Sequence, residues 1–473
     1  MVFNSLTFLS FFGIVLAVHH LPLRWSVRKF NLLAASYLFY AAWNPPFVLL
    51  LILAAVVDFQ LAKAIGRSTR IGRRRRLLLT VSLVLNLGLL AYFKYGQFLL
   101  DNFVRMLGWA GVHYQPLARG IILPLGISFY TFETISYLVD VYRRRITPWH
   151  SFLDYALFLT FFPHLVAGPI VRAEDFLPQC AEPRRASRGQ MGWGLALLVI
   201  GLFEKVILAD GVLAPIADTV FNGARQASST DAWLGALAFS GQIFCDFAGY
   251  STCGIGVALS LGFVLKRNFH FPYAAVGFSD FWQRWHISLS TWLRDYLYIP
   301  LGGNRRGRLL TCRNLMLTML LGGLWHGAAW HFVAWGGLHG LLLAVEQFLK
   351  ARLRHLAWWA HRSVQFSLAL LTFLIVSLSW VFFRAKNIGS ALYLMEKMIG
   401  WPGRRVLATR YDLVMVLSIT AALLAIHWIL RKEVLRRVVE RIPWWLRGLG
   451  LAAAIVCLVL APGDDRAFIY FQF

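Results

Sequence analysis

Residues 322–340 read GGLWHGAAWHFVAWGGLHG, and this stretch decides what kind of fold the chain has. No Asp, Glu, Lys or Arg occurs between Arg313 and Glu346, so the ionisable imidazoles in that apolar run are those of His326, His331 and His339. Ionisable groups are costly in hydrocarbon and, when present, face a protein interior or a water-filled cavity. The glycines at 322, 323, 327, 336, 337 and 340 let two backbones approach closely or let a helix break. The stretch reads as part of a membrane-embedded helical hairpin that carries His326 as a candidate catalytic base. A histidine bonded to a backbone carbonyl is the structural alternative.

Outward from this stretch the whole chain has the same character. Of its 473 residues, 58% are hydrophobic and 15% charged, and its mean hydropathy is +0.60. Soluble domains carry about 25% charged residues and no series of long apolar runs. Apolar segments fall near 3–22, 31–42, 46–65, 77–93, 121–142, 151–167, 192–209, 231–263, 310–325, 327–349, 364–383, 411–430 and 446–461. An all-α polytopic membrane protein follows, one helical membrane domain over residues 1–473 with no internal repeat or linker. The first apolar run lacks a preceding basic residue and a small-residue cleavage site, so it is expected to stay as a membrane helix.

The net charge of +25 sits in short clusters between apolar segments. That is the pattern of cytoplasmic loops facing anionic lipid headgroups, and nucleic acid is not an expected partner. The loop 384–410, with Arg384, Lys386, Lys397, Arg404, Arg405 and Arg410, breaks the alternation. Five scattered cysteines without a CxxC indicate neither a disulfide framework nor a zinc site. HExxH, GxSxG, GxGxxG and Walker patterns give no support for metal, serine-hydrolase or nucleotide chemistry.

Two segments are too broken for simple spans. Residues 121–142 contain Pro124, Gly126, Glu133 and Asp140, and FFPHLVAGPIVR (161–172) holds two prolines and a glycine. Irregular backbone at membrane depth survives only where protein buries it or it lines a cavity, so re-entrant segments are expected. The hairpin's first arm, 310–325, spans about 24 Å at 1.5 Å per residue, short of a roughly 30 Å core, which places His326 inside the membrane. Residues 278–304, FSDFWQRWHISLSTWLRDYLYIPLGGN, read as an amphipathic helix with Trp282, Trp285, His286, Leu289, Leu293 and Tyr296 on one face. An interfacial helix with His286 incidental is the alternative. Histidine, with an ordinary pKa near 6.5, suits proton abstraction from a hydroxyl.

The ordered set LPLGISFYTFE (123–133), FFPHLVAGPI (161–170), FCDFAGYS (244–251), DFWQRWHISLSTWLRDYLYIPLGGN (280–304), the stretch quoted first, VFFRA (381–385) and the ending FIYFQF resembles the membrane-bound O-acyltransferase family. Within it, the likeness is to the bacterial alginate O-acetylation branch, with teichoic acid D-alanyl transfer proteins as relatives. The resemblance implies a ring of transmembrane helices with re-entrant segments around a central tunnel. It implies that His326 is the catalytic histidine and His286 the second family histidine, beside the point of acyl transfer. Asp295 and Asn304 fall in the same motif block as candidates for the donor tunnel, and Trp325 and Arg284 complete the candidate set. His164 and Thr252-Cys253-Gly254 depart from the family's usual residues.

The implied activity is transfer of an acetyl group from a cytoplasmic thioester donor, acetyl-CoA or another acyl thioester, with no bound cofactor or metal. The acyl group would cross the bacterial inner membrane to an exported polysaccharide such as alginate, with periplasmic acetyltransferase partners. D-alanyl or acetyl transfer to another envelope polymer is the nearer alternative. A transporter using Asp58, Glu133, Asp140, Glu204 or Asp246 as coupling carboxylates is the more distant one.

Overall fold

The computed structural model describes residues 1–68, 72–116, 120–166, 168–353, 359, 361–400, 407–461, 466 and 468. The ending FIYFQF, apart from Phe468, and Arg404 and Arg405 of the 384–410 loop lie outside the described residues. The described residues are helical, with no strand among them. Helices long and apolar enough to cross a membrane are Pro46–Arg67, Arg73–Trp109, Ser229–Ser260, Trp330–Arg352, Arg362–Arg384 and Arg410–Leu430. The pair Leu435–Arg441 and Trp444–Leu460, bent by 116°, adds a broken seventh candidate. The protein is therefore a multi-pass membrane protein. Arg410–Leu430 leaves most of its apolar surface exposed, as a lipid-facing helix does, whereas Ser229–Ser260 is mostly buried.

The chain forms two compact units, and the boundary between them falls within the helices Arg188–Leu202 and Ser229–Ser260. The first unit comprises Met1–Leu195 and Gly254–Lys266. In it, the broken segments behave as their composition requires. The helix of the 121–142 segment begins only at Ile127 and runs 16 residues to Tyr142, about 24 Å and too short to span. The FFPHLVAGPI segment forms one four-residue helix, Phe162–Leu165, whose residues are buried. Burial in protein is what makes such backbone tolerable. His164 Nε2 lies 3.0 Å from the Phe158 carbonyl and 3.5 Å from Glu133 Oε1, and the latter accepts the Val171 N–H at 2.8 Å. The second departure from the family pattern meets the first: a Cβ at Gly254 would lie 2.3 Å from the Pro163 carbonyl oxygen, next to His164. The glycine is required by that approach.

The second unit comprises Ala196–Cys253 and Arg267–Phe473. Its centre is the hairpin of Arg308–His326 and Trp330–Leu353. A Cβ at Gly323 would meet the Phe332 carbonyl oxygen at 2.3 Å, and one at Gly336 the Met319 carbonyl oxygen at 2.2 Å. The two arms thus touch backbone to backbone through their glycines, as small residues allow in membrane helix pairs. The first arm begins at Arg308, before the apolar run, and its 19 residues give about 28 Å. This corrects the shorter length read from hydropathy, because the helix continues through the arginine-rich end.

Another correction concerns 278–304, where the amphipathic helix is not continuous. Phe278–Arg284 ends before Trp285, His286 adopts the left-handed conformation (φ 42°, ψ 56°), and Ile287–Leu293 starts afresh, running into a π-helical turn over Arg294–Tyr298. The break is stabilised from outside the helix. The Ile287 N–H donates to the Asn268 carbonyl at 2.9 Å, and the Ser288 N–H to Asn268 Oδ1 at 3.1 Å.

The charge of the 384–410 loop is partly neutralised within this unit. Arg384 Nη2 and Arg466 Nη1 donate to the two carboxylate oxygens of Asp218, at 2.5 and 2.7 Å. Deeper in the unit, Lys205 Nζ lies 2.9 Å from Asp210 and 3.1 Å from Asp246, all three buried.

Candidate active site

The site grows from the tip of the hairpin. His326 is the last residue of the first arm, where Gly327 turns extended and the second arm resumes at Trp330. Its imidazole is 3% exposed and walled by aromatic rings. Trp325, Trp335 and Phe383 lie at centroid distances of 5.0, 5.1 and 5.3 Å, the Trp335 ring nearly perpendicular at 88°. Edge-to-face packing of this kind fixes ring orientation while contributing dispersion energy.

The other histidines of the same stretch are used differently. His331 Nδ1 lies 3.0 Å from the Phe382 carbonyl, and His339 Nε2 lies 3.0 Å from Ser379 Oγ, whose hydroxyl donates to the Val376 carbonyl. Both imidazoles tie the second arm to the helix Arg362–Arg384. They fit the structural role expected of a buried histidine.

His326 instead faces His286, with ring centroids 6.4 Å apart and planes at 58°. The break at Trp285–His286 is what delivers this ring, since a left-handed residue redirects its side chain out of the helix period. His286 is fully buried, packed edge-on against Phe247 at 4.6 Å and Trp325 at 5.9 Å. Its Nδ1 lies 3.2 Å from Asn268 Oδ1. That oxygen also accepts from Ser288 Oγ at 2.9 Å, and Asn268 Nδ2 donates to Ser251 Oγ at 3.3 Å. The arrangement is two buried imidazoles facing each other inside an aromatic enclosure. Histidine is the side chain suited to accept a proton near neutral pH, so this pair is the candidate for proton transfer at the site.

The remaining candidates are placed as follows. Trp325 joins the pair, touching both imidazoles. Arg284 is a clamp: its Nε donates to Asp280 at 2.8 Å, and its Nη1 to the carbonyls of His270 and Arg431 at 3.2 and 3.0 Å. Asp295 accepts from Arg294 Nε at 2.8 Å in the π-helical turn, and Asn304 is exposed in the turn beyond it. Asn268 was not singled out by motif reading. The one local signal was its place in a short, polar run just before the amphipathic stretch.

A profile of the membrane-bound O-acyltransferase family matches residues 142–384, a range that contains Asn268, both histidines, the hairpin and Phe383. The chain belongs to the membrane-bound O-acyltransferase family. It is 41% identical to a probable alginate O-acetylase of Pseudomonas aeruginosa over 407 residues, 85% of this chain and 75% of the relative. It is 40% identical to the peptidoglycan O-acetyltransferase of Helicobacter pylori over 401 residues, 79% and 74% of the two chains. With the teichoic acid D-alanyltransferase of Bacillus subtilis it shares 28% over 263 residues, 52% and 64%. This acyltransferase therefore carries its paired histidines within the family's own region. Family membership also removes the transporter alternative, and two of the carboxylates it invoked have local partners: Asp58 accepts from Asn86 at 2.9 Å, and Asp246 lies 3.1 Å from Lys205.

Proposed function

We propose that this acyltransferase takes an acetyl group from a cytoplasmic thioester, acetyl-CoA or a related donor, and moves it across the inner membrane for O-acetylation of an exported polysaccharide such as alginate. The single observation that carries the reading is the approach of His326 and His286 at the hairpin tip, 6.4 Å apart in a buried aromatic enclosure. His326 removes the proton from the acceptor hydroxyl as its oxygen attacks the thioester carbonyl. The new C–O bond forms, the C–S bond breaks, and the proton passes to the departing thiolate. His286 and Trp325 orient the reacting groups beside it. A ring of helices with a central tunnel, formed by one membrane-embedded domain, would bring donor and acceptor together from opposite faces. Asp295 and Asn304 are placed along the donor's route in this reading, and periplasmic acetyltransferase partners would receive the acyl group for the polymer.

A second acceptor has specific support. The relative named for peptidoglycan matches at the same level of identity as the one named for alginate, so peptidoglycan is the alternative polymer. The deciding experiment measures ester-linked acetate on exported polysaccharide and on peptidoglycan in a deletion strain. The strain is complemented with wild type, His326→Ala or His286→Ala at equal membrane abundance. Wild type restores acetate on one polymer and His326→Ala does not. Full restoration by His326→Ala would sink the proposed mechanism.

A further inference from the structure

The hydrogen bonds around Asn268 determine which nitrogen of His286 carries its proton. A backbone N–H can only donate, so the Asn268 atom 3.1 Å from the Ser288 N–H is the amide oxygen. The same oxygen accepts from Ser288 Oγ at 2.9 Å, and the Asn268 amide nitrogen is turned to Ser251 Oγ at 3.3 Å. This settles the orientation of an amide whose two ends otherwise look alike. His286 Nδ1 meets that oxygen at 3.2 Å, and two lone pairs cannot bond, so Nδ1 must be the N–H. In the neutral ring the lone pair is then on Nε2.

The backbone points the same way. His286 is one of the non-glycine residues with positive φ, at 42°. Such a conformation persists only where the surroundings over-determine it, and it concentrates at functional sites. Here the surroundings are Asn268 itself. Its carbonyl accepts the Ile287 N–H at 2.9 Å and its side chain the Ser288 N–H, so one buried residue holds the turn from two sides and the ring from a third.

We propose that Asn268 is a positioning residue that fixes His286 with its proton on Nδ1 and its lone pair on Nε2. This rests on the reading of the histidine pair as the acyl-transfer site and sharpens it. With its one donor used on Asn268, neutral His286 offers the reaction an acceptor. It orients a hydroxyl or an N–H next to His326 and does not donate a hydrogen bond to the acyl oxygen.

The test uses full-length protein in lipid nanodiscs with ¹⁵N-labelled histidine. The His286 signals are assigned by their loss in His286→Gln, and turnover of acetyl-CoA is measured on the same samples. Wild type is expected to show a protonated Nδ1 and an unprotonated Nε2. Asn268→Ala is expected to mix the tautomers and lower kcat about 10- to 100-fold at little change in KM, the size of effect that loss of an outer hydrogen-bond partner has on metal-bound imidazoles. Asn268→Asp keeps the acceptor and is expected to keep the tautomer and lose less turnover. A wild-type spectrum with Nε2 protonated overturns the proposal, as does an Asn268→Ala protein with the wild-type tautomer. If Asn268→Ala does not fold, the wild-type and Asn268→Asp spectra decide alone. If His326→Ala and His286→Ala both turn over normally, the acyl-transfer reading fails, while the tautomer is still judged by the spectrum.

Discussion

Gly336→Ala should damage catalysis more than its size suggests, and its neighbour provides the control. A Cβ at Gly336 would lie 2.2 Å from the Met319 carbonyl oxygen, 3.0 Å from its carbonyl carbon and 3.1 Å from Gly323 Cα. All three are backbone atoms of the first arm, so no side chain can rotate away. Ordinary contact begins at 3.4 Å, so the arms must separate by about 1.2 Å, the difference between that figure and 2.2 Å. Met319 is seven residues before His326 on the same helix, so the displacement reaches the tip, where Trp335 and His326 pack together. Overpacking costs about 1–3 kcal/mol, and a misplacement of about 1 Å in a reacting geometry costs about 100-fold in rate. At Gly337 the added Cβ meets only Leu320 Cδ2, at 3.3 Å, a flexible side-chain end. We expect Gly336→Ala to fold with a lowered melting midpoint and to lose about 100-fold in acyl-transfer turnover, and Gly337→Ala to stay close to wild type. The assay is thioester consumption by nanodisc-reconstituted protein, with thermal melts on the same preparations. Wild-type turnover in Gly336→Ala, or equal loss in both variants, would refute the claim that backbone contact between the arms sets the position of His326.

Two further predictions concern groups away from the histidine pair. His270 accepts a hydrogen bond from Arg267 Nη1 at 3.2 Å, and burial first, then the charges of Arg267 and Arg284, pull its pKa down to about 4 against the opposing pull of Asp280. The unfolded chain gains a proton here as pH falls below about 6.5 while the folded chain does not until about 4. Stability should therefore drop across that window, and His270→Gln should flatten the drop in melts run from pH 7 to pH 4; an unchanged slope would count against it. Lys205→Met removes the cation shared by Asp210 and Asp246. Loss of one partner of a buried ion pair costs about 3–5 kcal/mol, so the variant should melt well below wild type, and an equal midpoint would show that the triad contributes nothing to the fold.

The extent to which these features were legible in the sequence differs from element to element, for physical reasons. The hairpin was legible because its cause is local: a charge-free run with glycines at close-packing spacing leaves a helix pair few alternatives. The breaks in the segments 121–142 and 161–172 were legible because proline and glycine act on their own backbone, although the first segment is regular helix from Ile127 on. The start of the first arm at Arg308 was missed, since hydropathy sees where charge begins and not where the helical hydrogen bonds end. The catalytic roles expected of His326 and His286 came with the family motifs; the residues alone left His326 open between a catalytic and a structural role. The break at His286 was illegible for a deeper reason. Trp282, Trp285, Leu289 and Leu293 keep the helical period straight through it, and all four are buried, so packing favours an unbroken helix as much as a broken one. What tips the balance is Asn268, 18 residues earlier, which supplies one carbonyl and one amide oxygen to the N–H groups that the break releases. With those groups satisfied, the backbone can leave the helix at one residue and turn a single side chain out of the period. A pattern read along one segment registers only that segment's own preferences. A residue that must point away from its helix to reach a partner on another element is where a non-local hydrogen bond has to override them, so the misread position coincides with the candidate catalytic one.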